Sequence, residues 1–320
     1  MYKRLELHNH TTESDSSITP NELINYMIDD HVDAFAITDH NTISGHEKIR
    51  KLLASQKGNT QATTSSAFKK ISCIYGMEYT TYYGHILCLN LTEYVPWENI
   101  NFHKPELLFL AAREKGALVG IAHPFSYGHP FARGCRFDMT VTDYNAVDFI
   151  EIFNNPEPLH EVNERGLLWW EDLVLNKHPL AFTCGMDLHG PWDMKNQYAT
   201  FIEGEADGDI AEELATAIKT QQTWISRGPI LLVTLNNDKS LLTFTINDTG
   251  KPGFFHEKEV PYLLEVKTQS GTFTKQIFAN APLTVNSHEF YGETILLPKL
   301  YEKNTDIENL ITVAPTIYLN

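Results

Sequence analysis

Three things are scarce in this chain of 320 residues, and each scarcity closes off a class of protein. Cysteine is the first. Cys73, Cys88, Cys135 and Cys184 lie far apart and none forms a CxxC pair. That argues against a disulfide frame or a thiolate zinc site and for reduced residues in a core. Positive charge is the second: 25 Lys and Arg stand against 41 Asp and Glu, for a formal net charge of -16. A broad basic surface for a nucleic-acid polymer is therefore not expected. Part of the acidity can be local, because carboxylates that hold cations are offset by ions the formal count omits. Third, no apolar run is long enough to span a bilayer, so no membrane partner is expected. The opening MYKRLELHNH carries charge early and lacks the apolar region and cleavage site of a secretion signal. The expected location is cytoplasmic.

The remaining composition is that of an ordinary globular protein with a large core. Up to about residue 228, short apolar runs alternate with helical patterns. Expected strands are Leu5-Leu7, Ala34-Thr38, Ile71-Glu78, Ala117-Ala122, Val147-Phe153, Leu180-Cys184 and Tyr198-Ile202. Expected helices are Pro20 to Asp30, with Thr19 as cap, then Pro105 to Lys115, Leu159 to Asn176 and Ile210 to Gln221. Such alternation implies βα units and a parallel sheet, and about seven units suggest a closed barrel. Thr60 to Ser66 reads as a polar loop, and Tyr82 to Leu91 as a strand paired to the one ending at Glu78. After Pro229 the pattern becomes period two, broken by Asn, Asp, Gly and Pro. This predicts a small antiparallel, sandwich-like β domain over 229–320, following a first domain over 1–228.

Histidine is abundant, at 14 residues. In His8-Asn9-His10, residues two apart on an extended backbone point to the same side, so both imidazoles can meet one ion. Asp15 follows in the loop. Asp39-His40 ends the second strand, Glu78 the third and His123 the fourth; His85 lies just past Glu78, and Asp187 and His189 follow a late apolar run. Strand ends on one face of a βα barrel collect site residues. His8, His10, Asp15, His40, Glu78, His85, His123, Asp187 and His189 are thus expected to converge. Imidazole and carboxylate suit zinc, iron and manganese. Nine ligands are too many for one ion with an open position and fit two or three, with carboxylates bridging. Any one of these histidines alone is more simply a hydrogen-bonded structural residue; the joint pattern carries the metal reading.

HNH with Asp15, then TDHN, GME, AHPF and DLH, resemble the motif series of the PHP (polymerase and histidinol phosphatase) superfamily over about residues 1-228. The resemblance implies a distorted (β/α)7 TIM-like barrel with two or three divalent ions. It implies that His8, His10, Glu78 and Asp187 hold the first ion, Asp15, His40 and His189 the second, and Glu78, His85 and His123 the third. It also implies a metal-activated hydroxide attacking a phosphoryl group. Asp39 is expected to orient a ligand histidine or the attacking water, with a buried structural aspartate as the plain alternative. The β domain after a TWISRGP-like strand resembles the PHP branch that includes carbaryl-hydrolase-type metallohydrolases. That branch often has Asn before Gly-Pro, where this chain has Arg227.

Phosphate anchoring favours arginine. Arg133 in HPFARG and Arg227 in ISRGP are the candidates, against the competing reading of surface salt bridges. His46 and His129 are weaker candidates for substrate contact. Trp169, Trp170 and the run Glu151 to Asn155 read as packing. The leading expectation is a phosphoesterase acting on a small phosphate ester such as a nucleotide or sugar phosphate. A carbamate, amide or ester hydrolase with the same centre is the second reading, and a metal-stabilised binding module the third. The β domain is expected to cover the barrel or to form a homo-oligomer interface.

Overall fold

The computed structural model describes residues 1–58, 71–128, 130–154, 161–256 and 260–319. The loop expected over 60–66 lies outside them. Strands β1 (Tyr2–Glu6), β2 (Ala34–Ile37) and β3 (Ser72–Thr81) are parallel neighbours. Helix α1 (Pro20–Asp29) leads from β1 to β2, and α2 (Ser44–Gly58) lies between β2 and β3. The Thr19 hydroxyl accepts from Glu22 N and the Glu22 carboxylate accepts from Thr19 N, a capping box that starts α1. Leu23, Ile24 and Met27 then bury one face of it.

The sequence pattern does not announce α2, because its stretch SGHEKIRKLLASQKG is mostly polar. It is fixed from below instead. Ile49 is fully buried, and the His46 ring bonds Gly76 O at 2.8 Å.

Strand β4 (Gly84–Leu89) is antiparallel to both β3 and β5 (Leu118–Ile121), and α3 (Glu106–Glu114) precedes β5. Parallel pairing resumes with β6 (Phe149–Asn154) and β7 (Ala181–Gly185), between which lies α4 (Glu161–Leu175). Strand β8 (Ala199–Glu203) is antiparallel to β1; α5 (Ile210–Lys219) and β9 (Trp224–Ser226) follow, with β9 antiparallel to β8.

The expectation of a parallel sheet therefore needs correction: the sheet is mixed. The reason lies in the connections. Only Tyr82 and Tyr83 separate β3 from β4, and no helix intervenes between β7 and β8. A parallel neighbour requires a long crossover, whereas a tight turn reverses the chain. No main-chain ladder joins β7 to β8 among the described residues. The two meet through Thr200, whose hydroxyl accepts from Cys184 N at 2.9 Å and donates to Cys184 O at 3.0 Å.

The C-terminal region is all β apart from short 3-10 turns. It contains β10 (Ile230–Leu235), β11 (Leu241–Asn247), β12 (Pro261–Lys267), β13 (Thr272–Phe278), β14 (Leu283–Asn286), β15 (Ile295–Tyr301), β16 (Leu310–Val313) and β17 (Ile317–Tyr318). Strands β10, β11 and β14 form a separate antiparallel sheet. The path β13-β12-β15-β16 continues through β9 into the N-terminal sheet. Alternation along β11 and β12 turns Leu242, Phe244, Leu264 and Val266 inward, where they meet Phe201 and Trp224 from β8 and β9. A buried charge network also crosses this boundary. Glu171 of α4 pairs with Lys299 of β15 and, at 2.6 Å, with Lys267 of β12. All four cysteines are free, and no helix of the described residues is long and apolar enough to cross a membrane.

Candidate metal centre

The HNH segment continues past β1 as single links rather than as a ladder. Asn9 forms an isolated parallel bridge with Leu188, and His10 N donates to Leu188 O at 3.1 Å. The Asn9 side chain turns toward β2 and donates to Ala36 O at 3.0 Å. His8 and His10, two apart, therefore face the opposite way, both fully buried. His40 is bridged to Glu78 in the same manner. His123 sits just beyond β5, and Asp187 and His189 just beyond β7. The hairpin β3–β4 places His85 beside Glu78 even though His85 begins its strand. His123 (φ 27°) and Asp187 (φ 50°) occupy left-handed backbone, which non-glycine residues adopt only when their surroundings impose it.

Three sets of ligand atoms lie within 4.8 Å of one another: His8, His10, Glu78 and Asp187; His10, Asp15, His40 and His189; and His40, Glu78 and His85. Glu78 is at the middle. Its Oε1 is 2.9 Å from both His85 Nδ1 and His123 Nε2, and its Oε2 is 2.8 Å from His40 Nδ1. The third set differs from the one implied by the family resemblance: His40 shares the mutual distances, while His123 joins through Glu78 at 2.9 Å and, further off, Asp187 at 4.0 Å. On the other flank, His189 Nε2 and His40 Nε2 approach Asp15 Oδ1 at 3.2 and 3.6 Å.

Several of these atoms are buried without a hydrogen-bond partner: His8 Nε2, both ring nitrogens of His10, Glu78 Oε2 and Asp187 Oδ1. They nevertheless approach closely, His10 Nε2 to Asp187 Oδ1 at 3.0 Å and His8 Nε2 to Glu78 Oε2 at 3.4 Å. Buried polar atoms are normally paired. Donor atoms that converge without hydrogen-bond geometry fit a divalent cation between them, and the mix of imidazole and carboxylate is that of zinc, manganese or iron.

The electrostatics agree. Complete burial would raise the Glu78 carboxyl, but the imidazoles of His8, His85, His123 and His40 outweigh it and hold it well below the carboxylate range. Burial likewise opposes ionisation of Asp187, yet His8 and His10 pull it far down. Burial disfavours imidazolium at His8, but Glu151, Asp187 and Glu78 push its pKa well up. His123 is raised to about 9 because the bond and charge of Glu78 overcome burial. At His10 and His85 burial prevails and the pKa falls.

Other residues singled out in the sequence are placed differently. Asp39 is buried, but both of its oxygens go to the loop carrying Asp15. They accept from Thr11 N (2.6 Å), Thr11 Oγ1 (2.8 Å) and Ser14 Oγ (2.7 Å), not from a histidine. Arg133 is exposed, its guanidinium 4.8 Å from the Tyr82 ring centre. Arg227 donates to Glu308 O at 2.6 Å and lies over the Tyr198 ring. Among the described residues, neither arginine bonds a member of the cluster. His46 is spent on Gly76 O. His129 and Asn155 lie outside the described residues.

Trp170 packs as expected, its indole N–H on Leu180 O at 3.0 Å. Glu151 does not. Its carboxylate is buried against the cluster, 2.9 Å from His8 Nδ1. The signal for it was available: one acid inside the apolar run FIEIFN must have a partner.

Residues 6–154 match the PHP domain family. The match takes in seven of the nine candidate ligands, His8, His10, Asp15, His40, Glu78, His85 and His123, and ends before Asp187 and His189. The fold brings those last two to the PHP residues. A two-domain protein from Bacteroides vulgatus ATCC 8482, described as containing a predicted PHP-like metal-dependent phosphoesterase, has a similar structure. It has a TM-score of 0.54 and 16% identity, covering 100% of this chain and 95% of that one. That likeness is one of fold and extends over the C-terminal β region as well as the PHP domain. A provisionally named metal-dependent phosphoesterase from Bifidobacterium adolescentis ATCC 15703 gives 0.40 at 15% identity, over 58% of this chain and 87% of that one. An amidohydrolase from Chromobacterium violaceum gives 0.38 at 14%, over 58% and 88%. No curated protein matches the chain.

Proposed function

We propose that this chain is a metal-dependent hydrolase and that its substrate is a small phosphate ester, a nucleotide or sugar phosphate. The observation that carries the reading is the group of buried, unpartnered donor atoms on His8, His10, Glu78 and Asp187. These four would hold one cation. Asp15, His40 and His189 would hold a second, and Glu78, His85 and His123 offer a third position. Bound zinc, manganese or iron would activate water and stabilise charge on a phosphoryl group.

The chain's own residues do the rest. Asp39 holds the loop that presents Asp15. Glu78 links the three sets through its two oxygens. Asp15 and His189, with side chains 58% and 38% exposed, mark the side from which a substrate enters. The same reading takes the N-terminal sheet as the distorted (β/α)7 barrel, supported by the Asn9–Leu188 bridge and the Thr200 bonds where β1, β7 and β8 meet. It divides the chain at 228/229, where the path leaves β9 for the three-stranded sheet.

A second reading is a carbamate, amide or carboxylic ester hydrolase using the same centre. It is favoured by the engagement of Arg133 with Tyr82 and of Arg227 with Glu308, which leaves the phosphate without an evident arginine clamp. The deciding experiment is turnover by manganese-loaded protein on phosphomonoesters, nucleotides, and phosphodiesters with a coupled phosphatase, each with a chelator control. Chelator-sensitive phosphate release is expected. Silence from protein shown to contain metal would transfer the reading to carbamates and amides.

A further inference from the structure

Glu151 lies in the middle of β6, flanked by Ile150 and Ile152, and is 1% exposed. Its Oε1 is 2.9 Å from His8 Nδ1. Its Oε2 accepts from His123 N at 3.0 Å and from Asn154 Nδ2 at 2.9 Å. Asn154 is itself held, its N–H on Asn163 Oδ1 at 3.1 Å and its C=O on Asn163 Nδ2 at 2.9 Å. The carboxylate is thus tied through β6 to α4. Gly185 makes room for it: a Cβ there would sit 2.5 Å from His8 Cβ and 2.9 Å from Glu151 Oε1.

We infer that Glu151 is the positioning residue of the metal centre, fixing the ring orientation of His8 and the backbone of His123 at once. The inference rests on the metal reading given above. An ionised carboxylate only accepts, so the bond to His8 requires the proton on Nδ1. That leaves Nε2 as the ligand atom, and Nε2 is the atom that faces Glu78 Oε2 and Asp187 Oδ1, each at 3.4 Å. A hydrogen bond on the far nitrogen of a ligand histidine sets its tautomer and raises its basicity.

The second oxygen acts on the main chain. His123 holds a φ of 27°, and its N–H is pinned by Glu151 while Nδ1 bonds Cys135 O at 3.0 Å, which turns Nε2 toward Glu78. One side chain therefore keeps in register two histidines from β1 and β5, which are not neighbours in the sheet. Glutamine cannot replace it. If its amide nitrogen faces His8, the opposite tautomer is favoured; if it faces His123, two N–H groups oppose each other.

The test compares the unmodified chain with Glu151→Gln, both stripped of metal, by zinc competition against a chromogenic chelator. Melting of the stripped forms is followed in parallel. The expected result is zinc affinity lower by about 10- to 100-fold in the variant, the range for outer partners of metal ligands, with melting of the stripped chain little changed. Equal affinity in the two proteins overturns the inference while leaving the metal reading intact. No zinc affinity in the unmodified chain overturns both. If the variant does not fold, histidine-selective long-range 1H–15N spectra of the zinc-loaded unmodified chain decide. His8 bound through Nε2 with a proton on Nδ1 supports the role, and binding through Nδ1 removes it.

Discussion

The two flanks of the centre are built to opposite specifications. His8, His10 and Glu78 are wholly buried, and their donor atoms have no solvent to turn to. Asp15 and His189 are open, with side chains 58% and 38% exposed, and His40 lies between the two. A desolvated set of donors is costly unless a cation fills it, so the deep flank suits a resident ion. The open flank can exchange ligands with water, as a position that must admit a substrate has to do. On the proposed function, burial thus separates a holding half from a working half within one cluster.

The sharpest way to break that division is Glu78→Gln, because Glu78 sits on the deep flank and also touches His40, which lies between the two. We expect metal content to fall at every position and turnover to drop by more than about a hundredfold, beyond the loss typical of outer partners. Elemental analysis alongside rates checks it, and near-normal metal content would show that the flanks are independent.

His8→Ala or Asp187→Ala comes next, striking the deep flank alone. Hydrolysis should fall by about a hundredfold with most of the fold intact by circular dichroism; full activity in either would remove the assigned site. The third effect is on pH. The raised value of about 9 at His123 means that a cation must expel a proton below that pH. Affinity should therefore climb by up to about tenfold per pH unit between about 6.5 and 9 and then level. In the metal-free chain the same shift works the other way: His123 adds stability below about 6.5, which is lost as pH rises through about 9. A flat affinity profile would contradict the geometry at Glu78. The smallest effect is expected of Asp15→Ala, a loss of about tenfold in rate at unchanged melting temperature, since an exposed carboxylate adds little to stability. A large fall in melting temperature would place Asp15 on the holding side.

Much of the candidate centre could be read from the sequence because most of its residues sit in short runs at strand ends, Asp15 in a loop and His85 at the start of β4 being the exceptions. HNH, TDHN, GME, AHPF and DLH need only local geometry to be recognised. What escaped depended on contacts between distant segments. Asp39 was expected at a histidine, but the residues that receive its oxygens, Thr11 and Ser14, are chosen by how the loop folds back. The role of Glu151 depends on His8, 143 positions away. The hairpin of β3 and β4 was legible from the turn between them, but strand direction was misjudged at β8 because periodicity reports burial, not polarity of pairing. Helix α2 lacks a clear apolar stripe and draws its place from Ile49 and His46. Strands β14 and β16, only four residues each, are too short to show a period.

The pairing of β9 with β16 sets an order of events for the living chain. Residues 2–5 pair with 200–203, residues 199–201 with 224–226, and residues 225 and 226 with 312 and 313. Until the ribosome has delivered the stretch beyond 310, one edge of β9 offers a bare row of N–H and C=O groups. The sheet that carries the histidines is therefore completed only after residue 313 has been synthesised. The β1–β8 pairing joins residues 2–5 to residues 200–203, and pairings so distant in the chain form slowly. A chain stopped near residue 228 would leave that edge of β9 unpaired and open to edge-to-edge association.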